Sequence, residues 1–158
     1  MTETLGQLYG VLDAARDERL LPAMQVWAPE ARCLFEGALS DAVARAAPYV
    51  VPLPSSSPLL AWWREAGLGH AWGIALRSEG NLVTLRHHLR TLLRVQLPNG
   101  QIALFRFWDP RVLRPFLPSC KPAVLRRIFG PISCIYAEGE VGGTVTYLLA
   151  PDDQLRTE

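Results

Sequence analysis

Lysine is almost missing from this chain of 158 residues: Lys121 stands alone beside fifteen arginines. A GC-rich coding sequence produces such a bias without functional meaning. Its physical consequence holds all the same, because guanidinium forks bind carboxylates bidentately and lie flat on aromatic rings. Cysteine is scarce too. Cys33, Cys120 and Cys134 are odd in number and widely spaced, which excludes a disulfide framework and a CxxC centre and fits buried, reduced thiols. Charge or proline breaks every apolar run before the roughly 18–20 residues that a bilayer span needs. The start MTETLGQLYG has neither a basic cluster nor an apolar run. The sequence therefore predicts no secretory signal, no membrane insertion and a cytoplasmic protein. Excess charge is lacking as well. The net is +1, whereas a generic polyanion binder carries a larger surplus, so nucleic acid is not an expected partner.

What is present describes an ordinary folded domain. Hydrophobic residues make up 49% and charged residues 20%, which excludes a disordered tail. The length is that of one domain able to bury roughly 70% of its unfolded surface. Residues 7–13 read as a strand and 17–26 as a helix. Ala31–Phe35 reads as a short strand, Leu39–Ala47 as a helix stopped by Pro48, and Tyr49–Leu53 as a buried strand. Ser57-Pro58 is a good helix start, with Gly67 as the matching stop. His70–Leu76 reads as a strand. Asn81 then caps a helix whose leucines at 82, 85, 89, 92 and 93 share one face. Asn99-Gly100, between apolar runs at 95–97 and 101–108, signals a hairpin. Asp109-Pro110 opens another helix, and Gly130-Pro131 ends the one after it. Ile132–Ala137 and Thr144–Leu149 pair across a glycine-rich turn. The expected fold is a single α/β domain: a mixed sheet flanked by helices, closed by a C-terminal β-hairpin.

The near-neutral total conceals a segregated charge. Between Arg77 and Arg127 ten basic residues face two acidic ones, a net of +8, and the remainder carries −7. Either the two parts pair within the fold or a basic face receives an acidic partner. Motifs for chemistry are few. His87 and His88 are adjacent, so on a helix they point about 100° apart and share an ion poorly. His70 lies elsewhere, and no zinc or phosphate-loop spacing occurs. No cofactor is implied, and helix histidines are expected to be exposed. Cys120, beside Lys121, is the best-placed thiol for a Cys-based hydrolase. In a strand, Ile102, Leu104, Arg106 and Trp108 share one face, with Phe105 and Phe107 on the other. A buried Arg106 needs a carboxylate. Asp109, which also suits a helix cap, and Asp13, at the end of the first strand, are the two candidates. The same pair, Asp13 and Asp109, is the alternative set for a small hydrolase.

These pieces, in order, resemble a known family. LeuTyrGlyValLeuAspAlaAlaArgAsp (8–17) is followed by CysLeuPheGluGly (33–37), AlaProTyrValVal (47–51) and TrpGlyIle (72–74). LeuArgHisHisLeuArgThrLeuLeuArgVal (85–95) then leads to PheArgPheTrpAspProArgValLeu (105–113). The whole is similar to the bacterial type VI secretion effector chaperones, or adaptors, grouped as domain-of-unknown-function family 4123. The likeness covers about 8–120, within a single adaptor-like domain over 1–158. The resemblance implies a protein without catalysis. It implies a cytoplasmic adaptor that binds a secreted effector toxin and loads it onto the spike protein of the secretion machine. Asp13, Arg106, Trp108, Asp109, Pro110 and Arg111 match the family motif and read as scaffold. Many members carry a variable region after the core, whereas this chain ends soon after its last predicted strand.

An adaptor grips its partner with aromatic and guanidinium groups, which are enriched in interface hot spots. Trp62 and Trp63 are consecutive on a predicted helix, so one core-facing stripe does not easily bury both. One of them, beside Arg64, is a candidate anchor. The stripe Arg86, Arg90 and Arg94 is the second candidate contact.

Overall fold

The computed structural model describes residues 6–158. Met1–Leu5, part of the N-terminal segment read for a leader, lies outside the described residues. The chain runs β1 (Gln7–Asp13), α1 (Leu20–Trp27), β2 (Arg32–Cys33), α2 (Asp41–Ala44), β3 (Pro48–Pro52), α3 (Pro58–Trp62) and β4 (Gly73–Ser78). It continues through α4 (Leu82–Thr91), β5 (Arg94–Gln96), β6 (Ile102–Leu104), α5 (Pro110–Ser119), α6 (Pro122–Phe129), β7 (Ile132–Glu138), β8 (Thr144–Leu149) and β9 (Leu155–Thr157). Seven strands form one sheet in the order β2-β3-β1-β4-β7-β8-β9, while β5 and β6 pair only with each other.

The α/β class and the closing β7–β8 hairpin agree with the sequence reading. Strand direction does not: every described pairing is antiparallel, so the sheet is not mixed. The helical excursions explain this. Asp13 pairs with Pro48, so the chain leaves β1 and re-enters β3 at one end of the sheet. Ser78 likewise pairs with Ile132. Two segments cross over: the one carrying α1 lands β2 beyond β3, and the one carrying α3 lands β4 on the far side of β1, leaving β1 and β2, and β3 and β4, parallel but not adjacent.

β1 is buried on both faces, which is why it reads as an unbroken apolar run. Its residues alternate between two cores. Tyr9 and Val11 join Val50, Ile74, Leu76 and Ile135 under α4, α5 and α6, where Leu85, Leu89, Leu113, Leu117, Leu125 and Phe129 pack. Leu12 joins Tyr49, Val51, Leu20, Met24, Leu59, Trp63 and Trp72 under α1 and α3. The sheet is thus the middle of three layers.

Helix starts follow the predicted caps. Ser57 Oγ accepts from Leu60 N at 3.2 Å and Asn81 Oδ1 from Thr84 N at 2.9 Å. Several elements are shorter than expected. The helix read over 17–26 becomes a 3₁₀ turn at Ala14–Arg16 and then α1. The 39–47 helix is one turn, α2. The 58–67 helix loosens into a π-turn over Trp63–Gly67. The apolar alternation over 101–108 fails as a single strand. β6 runs to Leu104, Phe105 N adds a last rung to Leu93 O at 2.7 Å, and the chain then turns, with Asp109 N on Arg106 O at 3.1 Å. Phe105, Phe107 and Trp108 are all buried as a result, while Ile102 and Leu104 face solvent.

Candidate protein-interaction site

The strand that ends in Asp13 delivers a carboxylate into a nearly dry position at the end of the sheet, with the side chain 3% exposed. Arg106 Nη2 donates to Asp13 Oδ2 at 2.8 Å, Trp108 Nε1 to the same oxygen at 3.2 Å, and Ala15 N to Oδ1 at 3.0 Å. Of the two carboxylates proposed for Arg106, Asp13 is the partner. Asp109 does the other job. Its Oδ1 accepts from Arg111 N at 2.9 Å, capping α5 ahead of Pro110, and its two oxygens hold the Arg111 guanidinium at 3.0 and 2.8 Å. Burial alone would push the Asp109 carboxyl up. The Arg111 side chain and backbone N–H, with the charges of Arg111 and Arg106, outweigh it and hold the carboxyl below the usual carboxylate range.

Asp109→Ala is therefore expected to cost about 1–2 kcal/mol, most of it the cap. The Arg111 side chain is half exposed, and an exposed pair adds little. Because folding depresses this carboxyl, its contribution is present above the unfolded value near pH 4 and fades as pH falls through the folded value. Urea midpoints of wild type and variant at pH 7 and pH 3 check this: the gap should narrow in acid.

Both carboxylates are thus engaged by arginine, and the Asp109 carboxyl is held below its usual range, the wrong direction for a general acid. Cys120 is no better placed. Burial pushes its thiol up, away from the thiolate a nucleophile needs, and Sγ–H donates to Phe116 O at 3.3 Å. The histidines divide. His87 is exposed as expected, but His88 is half-buried with Nε2 on Ile128 O at 2.7 Å. The reason is Gly130, whose missing side chain leaves room for the His88 ring. Among the described residues no cluster of three or more His, Cys, Asp or Glu is arranged to hold a metal.

The six candidate contact residues fall in three places. Arg86 and Arg90 turn inward from α4 onto the β2 segment. Arg86 Nε donates to Cys33 O at 2.9 Å, Arg90 Nε to Leu34 O at 3.1 Å, and Arg90 also pairs with Glu36. They staple a short strand whose carbonyls face the helix. Arg94 is exposed on β5. Trp62 is half-buried in an aromatic row. Its ring centroid lies 5.8 Å from Trp27, which is partly exposed, and 4.6 Å from buried Trp72, with the Arg19 guanidinium 5.5 Å from it. Trp63 is buried and Arg64 exposed. Consecutive tryptophans are accommodated because α3 gives way to the π-turn at Trp63.

Two surfaces missed by the sequence reading stand out. The β5–β6 hairpin presents Ile102 (70% exposed), Leu104 (50%) and Leu97 to solvent. With Arg94, Phe116, Val124 and Arg127 the hairpin forms an apolar groove edged by guanidinium groups. The sequence signal was the apolar run 101–108, read as one strand. The second surface is a cleft of about 310 Å³ between the π-turn and the face of β4 and β7. Leu60, Trp63, Leu68, Ala75, Tyr136 and Glu138 are among its walls. Helices α1 and α3 cover β1 and β3 on this face and stop short of β7.

Residues 8–127 match the family described as domain of unknown function 4123 (DUF4123). The chain belongs to that family. DUF4123 is associated with type VI secretion effector chaperones and adaptors rather than with catalysis. The match spans β1 through most of α6 and includes both the Asp13–Arg106–Trp108 knot and the hairpin groove. Comparison with curated proteins and with solved structures finds no match. Among the described residues no helix is long and apolar enough to cross a membrane.

Proposed function

We propose that this DUF4123 protein is a non-catalytic adaptor, working in the cytoplasm of the producing cell, that binds a secreted effector toxin and loads it onto the spike protein. The observation that carries the reading is the family match over 8–127, most of the domain. The physical features support it. An adaptor needs a rigid scaffold and an exposed surface that prefers protein to water. The hairpin groove has that composition: aliphatic side chains in the open, and Arg94 and Arg127 at the edge to meet acidic groups of a partner. The family-motif residues Asp13, Arg106, Trp108, Asp109, Pro110 and Arg111 are scaffold in this reading, since their polar atoms are engaged with one another.

Deleting the gene and following delivery of the effector encoded beside it tests the proposal. Delivery is expected to fail and to return on complementation with the wild-type chain. Ile102→Ser/Leu104→Ser, at two exposed positions, should keep the melting temperature within about 2 °C yet capture the purified effector less well. Undiminished delivery from the deletion strain would overturn the adaptor reading.

A further inference from the structure

The fold settles the segregated charge only in part. Of the ten basic residues between Arg77 and Arg127, Arg90, Arg106, Arg111 and Arg126 pair with carboxylates. Arg77, Arg86 and Arg114 donate to neutral oxygens. The side chains of Arg94, Lys121 and Arg127 have no hydrogen bond or ion pair among the described residues. Two of these three, Arg94 and Arg127, are exposed on the hairpin groove, and no described acidic residue lines it. The field of Arg94 reaches Glu36, but Arg90 holds that carboxylate.

The hairpin also has an open edge. Phe105 N donates to Leu93 O and Leu97 N to Gln101 O, both at 2.7 Å, and Val95 faces Ala103 between them. Inward and outward backbone groups alternate along an antiparallel strand. The N–H and C=O of Ile102 and Leu104 therefore point away from β5, and no described residue pairs with them. The same two residues carry the exposed aliphatic side chains. Proteins shield such edges with charge, proline or a covering element. The β2 edge of the main sheet is shielded in this way, where Arg86 and Arg90 take the Cys33 and Leu34 carbonyls. β6, which reads Ile-Ala-Leu, has neither charge nor proline. An extended backbone satisfies such an edge, and its aliphatic side chains cover Ile102 and Leu104. Carboxylates on the same segment meet Arg94 and Arg127. A helix laid in the groove would leave the edge groups unpaired.

We infer that the effector adds an extended strand to β6, with aliphatic side chains on Ile102 and Leu104 and carboxylates on Arg94 and Arg127. The inference rests on the adaptor reading and adds the shape and charge of the bound segment. A second copy of this chain would bring the same unpaired arginines to both sides of the contact, which disfavours it against a partner of opposite charge.

Overlapping 12-residue peptides covering the neighbour-encoded effector are titrated against the full ¹⁵N-labelled chain. An acidic, aliphatic peptide is expected to bind and to slow exchange of the Ile102 and Leu104 amide hydrogens by about tenfold or more. Methylating the peptide's own N–H groups one at a time should weaken binding at every second position, the period of a strand. Arg94→Glu/Arg127→Glu replaces two exposed guanidinium groups that hold nothing in the fold, so its melting temperature should stay within about 2 °C of wild type. The variant should lose about tenfold in affinity or more, and regain it for a peptide whose acidic residues are replaced by lysine. The inference is overturned by unchanged exchange at Ile102 and Leu104, by methylation effects spaced at the helical period, or by affinity that ignores the charge reversal. It is equally overturned by self-association of the chain through this hairpin in place of peptide binding, or by capture of intact effector without capture of any peptide. The adaptor reading would still stand in each of these cases. Failure of the wild-type chain to capture the intact effector is a different result and overturns the adaptor reading itself.

Discussion

Asp13→Ala is expected to lower the unfolding free energy by about 3 kcal/mol, the largest loss among the family-motif side chains. The carboxylate is almost fully buried and holds three donors. Their fates on truncation differ. Arg106 is 47% exposed, so its guanidinium returns to water and contributes little, as an exposed ion-pair partner does. Ala15 is exposed and its N–H finds solvent. Trp108 has no such escape. Its ring is 2% exposed, and without Asp13 its indole N–H is left dry and unpaired. To this is added the void left beside the Trp108 ring. Asp13→Asn, which retains one acceptor oxygen, should cost about half as much, and Arg106→Ala less than about 1 kcal/mol. For a chain of this length the alanine variant should melt about 6–12 °C lower. Denaturant midpoints of the three variants check the order. An Arg106→Ala loss equal to that of Asp13→Ala would mean that the ion pair, and not the indole, is what the carboxylate stabilises.

The same knot shows what the sequence could carry. A strand ending in Asp, and an Arg-aromatic-Trp-Asp-Pro-Arg run ninety-odd residues later, announce a carboxylate–guanidinium pairing. They do not say which carboxylate takes which arginine. Local signals settled Asp109, because a cap acts on the residues just after it. The Asp13–Arg106 contact is set by topology, which places the end of β1 beside the entry to α5. The caps at Ser57 and Asn81 and the Asn99-Gly100 turn, with Gly100 at φ +83°, were legible for the same local reason. Sheet direction was not, because alternating strands and helices suit a parallel crossover as well as an excursion that returns to the same end. β9 carries no pattern in three residues. Arg86 and Arg90 read as a free stripe because no sequence shows which backbone carbonyls a strand leaves unpaired, here those of Cys33 and Leu34. The open edge of β6 was hidden for the converse reason. Its backbone groups are notable for the partners they lack, and that is visible only once every other strand has been placed.

Gly73→Ala is expected to be more damaging than any glycine substitution in a turn, costing about 3 kcal/mol or more and reducing soluble yield. Gly73 opens β4 and pairs with Leu12 at the C-terminal end of β1. A Cβ there would stand 1.9 Å from the Val11 carbonyl oxygen, 2.9 Å from its carbon and 3.0 Å from Leu12 Cα. All three are backbone atoms of β1, so no rotamer relieves the clash. Either β1 moves away from β4 or the register slips, and slippage turns Val11 and Leu12 to the wrong cores. Gly69→Ala is the control. Gly69 has φ +85° and nothing within 4 Å of a new Cβ, so it should lose only about 1 kcal/mol of backbone strain. Gly73 fails by contact and Gly69 by conformation, and denaturant midpoints separate the two. A Gly73→Ala protein as stable as the Gly69→Ala control would mean that β1 and β4 approach less closely than this geometry places them.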